Sequence, residues 1–377
     1  MSQDTSQEKP FSILISGGAV AAKLDAVKTI TNRFRGGLMS ELADRVMEMA
    51  PKGSTVAYLT AKNQALPKDP RVSILLHDGF EDYFKQIPEL ATQFDSMALG
   101  AAVVNLVPAQ PWAGKFPSHH YEEGEIIQIP FKLAPRAINE AKKANPKLTL
   151  FGFKLLAGVP EDELIDAAWK VLLSSKAQCV FANDSTNPSR KLALMREGGV
   201  VEADMAGTAR LMVSLSQDSH YQTRMAPDEV PTPNETFWAA LKNGHHRAKA
   251  GPDGLLFGTV AARAPQGGFW CTGRGKKELE EIAFVASVDH SRLTVTSFGG
   301  KKASLNAPLL DEILARNPEA AAVAHWHDYP AGLTMLPYAP AGTVRDSQRD
   351  LPSGDFSIEA HGSFELLDAQ GLPLRRA

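Results

Sequence analysis

The sequence predicts two α/β domains in tandem, the first an open, doubly wound parallel sheet and the second smaller and differently built. Three observations predict it. Short apolar strands alternate with helical patterns from residue 11 onward, a glycine pair follows the first strand directly, and a proline-rich, aperiodic stretch over 217–235 separates two regions of different character. Length agrees, because 377 residues exceed what one ordinary core organises.

Residues 11–16 (FSILIS) form an apolar run ending in Gly17-Gly18, the pattern of a buried strand entering a tight loop. Over 38–49 apolar residues recur at helical spacing until Pro51-Lys52-Gly53 stops them, and 55–59 (TVAYL) reads as the next strand. Strand, glycine loop, helix and strand make a βαβ unit, whose parallel strands need cover on both faces. The alternation continues through 96–106 (SMALGAAVVNL), a strand over 148–153 (LTLFGF) and a helix over 161–174. A strand over 178–182 (QCVFA) then runs into polar Asn183-Asp184-Ser185-Thr186, and two more short strands are expected over 199–203 and 209–215. Ligands of such a sheet lie beyond the carboxyl ends of its strands.

The domain boundary falls within QDSHYQTRMAPDEVPTPNE, which assigns 1–228 to the first domain and 229–377 to the second. Behind it, strands are expected over 255–260 and 268–272, followed by the turn Gly273-Arg274-Gly275 and a helix over 308–316. A strongly apolar strand over 320–324 leads into His325-Trp326-His327.

Composition limits the function classes. With 44% hydrophobic and 22% charged residues the chain has the composition of a globular protein that can bury a substantial core, and disorder is not indicated. A net charge of -3, with acids and bases interspersed, provides no field to gather nucleic acid or an anionic membrane, so small molecules are the expected partners. Cys179 and Cys271 stand far apart in apolar segments, with neither metal-ligand spacing nor a disulfide framework. The opening MSQDTSQEKP has no apolar stretch of signal-peptide length, and no run is long enough to span a bilayer, so a cytoplasmic setting is expected.

Ser16-Gly17-Gly18 after a strand suits a phosphate or ribose cradle, since glycine lets the backbone approach an anion closely; it suits a plain turn as well. An ordered set of segments follows it: Leu24-Asp25-Ala26-Val27-Lys28-Thr29-Ile30-Thr31-Asn32, Gly36-Gly37, 97–108 (MALGAAVVNLVP), Lys115, Pro130-Phe131-Lys132-Leu133, Phe151-Gly152-Phe153-Lys154-Leu155 and Ala182-Asn183-Asp184. In that order they resemble the phosphopantothenate–cysteine ligase (phosphopantothenoylcysteine synthetase) family over about residues 10–216. The resemblance implies a Rossmann-like nucleotide-binding domain and an acid–amino-acid ligase. Such an enzyme uses CTP or ATP with Mg2+ to activate a carboxylic acid as an acyl nucleotide, which the amine of cysteine attacks.

By position, the resemblance gives Asn32 the acyl intermediate and Lys115 the closing, charge-neutralising role, with Gly17, Gly18, Asn183 and Asp184 lining the nucleotide pocket. Arg35, within Arg33-Phe34-Arg35, adds a guanidinium suited to bidentate phosphate binding. Read singly, Asn32 also suits a helix cap and Lys115 a solvated loop. Departures from the family are Asn105-Leu106 where it has Asp-Tyr, the bulky Arg33-Phe34-Arg35 in place of a small serine-rich loop, and Leu156-Ala157 where a glutamate commonly follows.

In the second domain, His325 and His327 lie one residue apart at a strand end, so both side chains emerge on one face. That spacing suits two imidazoles on one zinc ion, and an incidental pair equally. With Gly258-Thr259-Val260-Ala261, Cys271-Thr272-Gly273-Arg274-Gly275, the stretch 301–327, and His361-Gly362, the region 235–371 resembles the class II aldolase/adducin family. This implies Zn2+, or another divalent transition metal, on His325, His327 and His361, with Gly273 and Ser304 as phosphate contacts.

Asn306 occupies the place of that family's catalytic glutamate, and a carboxamide cannot act as a general base, so altered chemistry is expected. Asp328, Tyr329 and Glu359 are the remaining acid–base candidates, with strand alternation directing Asp328 away from the histidine face, while His245-His246 fit a solvated helix end. The combined expectation is a ligase-like enzyme fused to a metal-binding domain. Two alternatives stay open: a non-catalytic nucleotide- or metal-sensing protein, and a zinc-dependent lyase or epimerase acting through the second domain alone. Both resembled families assemble through symmetric interfaces, which implies a homo-oligomer.

Overall fold

A computed structural model describes residues 9–227 and 229–374. They divide into two compact units, the first running to Leu194 and including Val201–Gln217, the second made of Met195–Val200 and the chain from Asp218 onward. Among the described residues no helix is long and apolar enough to cross a membrane.

The first unit contains β1 (Ser12–Ser16), α1 (Gly37–Met49), β2 (Thr55–Ala61), β3 (Ser73–His77), α2 (Phe80–Ala91) and β4 (Ser96–Leu99). It continues with α3 (Ala137–Ala144), β5 (Thr149–Leu156), α4 (Glu161–Ser175), β6 (Cys179–Asp184), β7 (Asn187–Met195), β8 (Val200–Ala203) and α5 (Met205–Ser216). The sheet order is β8-β7-β6-β5-β4-β1-β2-β3, and the pairings from β6 through to β3 are all parallel. Chain order reverses between β1 and β4, so the loops leaving those two strands diverge and open a crevice at their carboxyl ends.

Local causes are plain. Ile13, Leu14 and Ile15 of β1 are fully buried, as a strand covered on both faces requires. Helix α1 buries Leu42, Ala43, Val46 and Met47 on one stripe and stops at extended Ala50, because the following Pro51 disfavours a helical residue before it.

One expected strand is a helix. Over 209–215 the chain forms most of α5: the Asp204 carboxylate accepts from the Gly207 amide at 2.7 Å, and Ala209, Met212, Val213 and Ser216 then face inward at helical spacing. A short, nearly continuous apolar run fits either element by pattern alone, and the aspartate cap decides it. The edge elements β3 and α2 went without expectation; β3 exposes Ile74 and Leu76, so its pattern lacks the signature of a buried strand.

The second unit contains β9 (Gln222–Ala226), α6 (Glu235–Gly244), β10 (Thr259–Arg263), β11 (Phe269–Thr272), β12 (Ile282–Asp289) and β13 (Thr294–Phe298). After these come α7 (Ala307–Arg316), β14 (Ala322–Trp326), β15 (Thr334–Leu336), α8 (Val344–Ser347), β16 (Phe356–Ile358) and β17 (Gly362–Leu367). Their sheet runs β9-β13-β12-β11-β10-β14-β17-β16-β15, antiparallel except for the outermost pair at each end. The strand expected over 255–260 starts only at Thr259 and extends to Arg263, because Gly258 at φ 95 turns the chain into it.

Alternation sorts this sheet's side chains. Val260, Ala262, Trp270, Ala324 and Trp326 pack with Phe237 and Leu241 of α6. Ala261, Cys271, Val323 and Phe364 pack with Leu309, Leu310, Ile313 and Leu314 of α7. His325, two residues beyond Val323, therefore belongs to the α7 face.

Candidate functional site

At the switch point of the first unit, hydrogen bonds gather the loops. The Gly18 carbonyl accepts from the Ala102 amide at 2.8 Å, the Ser16 carbonyl from Gly100 at 3.2 Å, and the Arg35 carbonyl from Ala65 at 2.8 Å. Asn32 donates its side-chain amide to the Ala102 carbonyl at 2.9 Å. Gly17, Gly18 and Asn32 thus meet beside β1 and β4, and Arg35 is tied to the loop after β2. Asn32 does not cap α1, whose N-cap is Gly36 without any side-chain bond, leaving first-turn amides free of a side-chain acceptor.

Two glycines are dictated by this closeness. A Cβ on Gly17 would stand 2.1 Å from the Tyr58 hydroxyl oxygen, and one on Gly36, at φ 81, would stand 2.6 Å from the Gly18 nitrogen. The start of α1 can press against the β1 turn only because both side chains are missing. Arg33, Phe34 and Arg35, just before it, are exposed.

Lys115 is exposed on a segment fastened to the 24–28 turn. Trp112 donates to the Leu24 carbonyl at 3.1 Å, Ala26 to the Gly114 carbonyl at 3.2 Å, and Phe116 to the Asp25 carboxylate at 2.9 Å. The Lys28, Phe116 and Val27 amides together hold the Asp25 carboxyl well below the usual carboxylate range. Asn183 and Asp184 end β6, with β5 and β4 standing between them and β1. Asp184 accepts from the Gly158 amide at 3.0 Å and from the amide and hydroxyl of Thr186 at 2.8 Å, so its carboxylate braces the turns after β5 and β6.

In the second unit the three histidines converge. His325, at the end of β14, His327 just beyond it, and His361 before β17 offer ring nitrogens within 4.8 Å of one another. Ring centroids are 4.6 Å apart for His325–His361 and 4.9 Å for His325–His327. His325 donates through Nδ1 to the Ser363 carbonyl at 2.9 Å, while its Nε2 and the Nδ1 of His361 are buried without a hydrogen-bond partner.

Burial, reinforced by neighbouring rings, holds His325 and His361 neutral well below the ordinary imidazole range. Burial and the Lys276 and Lys249 ammoniums push His327 down to about 4. Neutral imidazoles with inward, unpartnered nitrogens are the donor set a divalent transition metal requires, so the residues present fit such an ion.

Around them, Phe364 stacks on His325 at 4.3 Å and Phe257 on His327 at 4.7 Å. Ser304 shares a hydrogen bond with Thr259 at 3.0 Å, and Thr259 is the strand partner of His325. Gly273 bridges to Ala303, next to Ser304, which links the proposed phosphate contacts to the histidine strand. Asn306 is buried with its side-chain oxygen unpartnered. Asp328 lies on the opposite face, paired twice at 3.0 Å with Arg247. Tyr329 meets the His361 backbone, Glu359 is exposed, and His245 and His246 are exposed at the end of α6.

Several contributors carry no sequence pattern. Lys276, only 4% exposed, donates to the Gly258 carbonyl at 2.6 Å. The Glu197 backbone hydrogen-bonds His327, and the Glu197 carboxyl, pushed up by burial, accepts from Tyr338 at 2.6 Å and the Ala341 amide at 3.1 Å. Gly199 abuts Ala360, where a Cβ would stand 2.1 Å from the carbonyl oxygen.

Comparison with known proteins matches residues 9–208 to the family described as DNA/pantothenate metabolism flavoprotein C-terminal domain. The coenzyme A biosynthesis bifunctional protein CoaBC of Thermococcus kodakarensis is 27% identical over 173 residues, which are 45% of this chain and 40% of that protein. The chain therefore spans less than half the length of that relative. Among solved structures, the DNA/pantothenate metabolism flavoprotein from Streptococcus pneumoniae aligns at 23% identity and TM-score 0.47, covering 54% of this chain and 96% of that one. YgbL from Escherichia coli aligns at 19% identity and TM-score 0.27, covering 34% and 75%.

Proposed function

The chain belongs to the DNA/pantothenate metabolism flavoprotein C-terminal domain family, and from that premise we propose that its first unit is a ligase of the phosphopantothenate–cysteine type, activating a carboxylic acid with CTP or ATP and Mg2+. The carrying observation is the meeting of Gly17-Gly18, Asn32 and the uncapped start of α1 where β1 and β4 diverge. The CoaBC relative is named for coenzyme A biosynthesis, which agrees.

In this reading the glycine turn and first-turn amides of α1 receive phosphate oxygens, and the exposed guanidiniums of Arg33 and Arg35 offset their charge. Asn32, fixed by Ala102, holds the acyl oxygen, and Lys115 closes from its fastened segment to stabilise the departing pyrophosphate. Asn105 and Leu106, both exposed, replace a family carboxylate and ring, so the acid bound is expected to differ from phosphopantothenate. The test is pyrophosphate release from CTP or ATP with Mg2+, cysteine and a panel of acids. Release that needs both acid and nucleotide supports the ligase; tight nucleotide binding with no release for any acid favours the sensing alternative.

A second reading concerns the other unit, and a specific observation favours it: two buried, unpartnered imidazole nitrogens beside a third imidazole. His325, His327 and His361 would hold zinc or another divalent transition metal, whose chemistry when bound is to polarise a ligand oxygen. The Ser363 carbonyl sets the His325 tautomer, and the Phe364 and Phe257 rings exclude water. Asn306 takes no proton, so deprotonation by a carboxylate at that place is absent from this reading. Metal content after purification, and turnover that chelation abolishes while nucleotide leaves it unchanged, would support a second-unit activity standing alone.

A further inference from the structure

Asp25 joins two stretches of chain that lie 91 residues apart. Its side chain is fully buried and both carboxylate oxygens are engaged. Oδ1 accepts the Val27 and Lys28 amides at 2.7 and 2.6 Å, which shapes the 25–28 turn. Oδ2 accepts the Phe116 amide at 2.9 Å and the Lys28 ammonium at 3.0 Å. An aspartate closes such a turn with one oxygen, so the second has a separate task. It takes the amide of the residue beside Lys115. These donors keep the carboxylate ionised, and the tie persists through neutral pH.

The same join is made on the other side of Lys115. Ala26 donates to the Gly114 carbonyl at 3.2 Å, so the backbone is docked both before and after the exposed lysine. Packing reinforces it: the Trp112 ring meets Phe116 edge-on at 4.7 Å, and the Lys28 ammonium stands 5.8 Å from the Phe116 ring centre. The other end of the turn leads to Asn32. Ala22–Lys23 pairs antiparallel with Thr29–Ile30, and two residues later Asn32 is tied to the Ala102 carbonyl. One braced turn therefore fixes where both Lys115 and Asn32 leave the backbone.

We propose that Asp25 is a positioning residue for the ligase reaction: by tying the Phe116 amide to the turn that leads to Asn32, it sets Lys115 at the pyrophosphate end of the site while Asn32 holds the acyl end. Lys115 then closes by moving its side chain, with its backbone still docked. The proposal rests on the ligase reading, and Asp25 itself touches no substrate. The test measures binding of inorganic pyrophosphate with Mg2+ by calorimetry, using the full chain unchanged and as D25N, K115A and D25N/K115A. Hydrogen exchange of the Phe116 amide is followed in the same proteins.

Asparagine at position 25 turns an amide donor toward protons that the carboxylate accepted. In D25N the Phe116 amide should exchange about tenfold faster or more. Pyrophosphate affinity should fall about tenfold, as it does in K115A. The double variant should bind as K115A does, within about twofold, because a misplaced lysine and a missing one are equivalent. A D25N loss that recurs in full on top of K115A overturns the positioning role and leaves the ligase reading standing. Unchanged exchange or unchanged affinity in D25N does the same. No pyrophosphate binding to the unchanged protein overturns the ligase reading and this role with it. Should D25N fail to fold, a crystal structure of the unchanged protein with Mg2+ and CTP decides. Lys115 on a phosphate oxygen with the Phe116 amide still on Asp25 supports the anchor; Lys115 reaching the phosphates only after Phe116 has left Asp25, or not reaching them, overturns it.

Discussion

His325 gives its Nδ1 proton to the Ser363 carbonyl at 2.9 Å, which leaves its Nε2 as a lone pair aimed into the space shared with His361. Alanine at His325 or His361 is therefore expected to weaken zinc by more than the ~10–100-fold that losing an outer-shell partner brings. Competition against a chromophoric chelator measures it. H245A, at the exposed end of α6, serves as the control that leaves zinc affinity unchanged.

Proton linkage offers an independent check on the metal-free protein. The His327 ring is held at about 4 when folded, against the ordinary imidazole value of 6.5. Between those values the unfolded chain binds the extra proton, so stability is whole above pH 6.5 and declines as pH falls toward 4. The shift corresponds to roughly 3 kcal/mol. Urea unfolding across this window should show that loss together with those of His325 and His361, and H327Q should make it shallower by the His327 share; an identical slope in the variant would count against a desolvated ring.

For the first unit, K115A should leave the urea midpoint unchanged, since the side chain is exposed. Pyrophosphate release should nevertheless fall by on the order of 100-fold, the scale for removing one preorganised charge-stabilising donor. Equal turnover in variant and parent would return Lys115 to an ordinary solvated lysine.

Crowding at the β1 turn makes a mutant cycle informative. G17A places a methyl against the Tyr58 hydroxyl and 2.6 Å from the Met39 Cβ, and is expected to destabilise by about 1–3 kcal/mol. Y58F alone gives up the 3.3 Å bond to the Gly36 carbonyl, about 1 kcal/mol. Combined, the two changes should be less damaging than their sum, because the phenylalanine relieves part of the clash. Strict additivity in chemical denaturation would refute the packing account.

Gly199 presses on Ala360, the residue before His361, and Ala360 already sits at φ 55. G199A should lower zinc affinity about tenfold or more by displacing that histidine. G300A, whose added methyl meets nothing within 4 Å, should leave zinc affinity as it is.

Much of this was legible in the sequence, for reasons that differ by residue. Ile13 to Ile15 followed by Gly17-Gly18 announces a buried strand and a tight turn because sterics leave few other uses for that pattern. The His325–His327 pair announces itself through strand alternation, and His361 through its resemblance to a family's later His-Gly. Lys276 was not legible, since an isolated lysine reads as solvated until tertiary packing buries it. Nor was the Glu197 backbone contact, because any residue supplies a main-chain partner. The helix over Met205–Ser216 hides behind Ala209 to Leu215, whose dense apolar run masks a 3.6-residue period.

The register of β1, β2 and β4 is fixed by residues the sheet buries, whereas Arg33, Phe34, Arg35, Asn105 and Leu106 hang from its carboxyl edge in solvent. Mutational drift at those five positions can retune what the crevice admits while foldability is left untouched. The buried strands and the exposed rim are thus separable, and under the ligase reading proposed above, exchanging those rim residues is the way to change the acid accepted without touching the core.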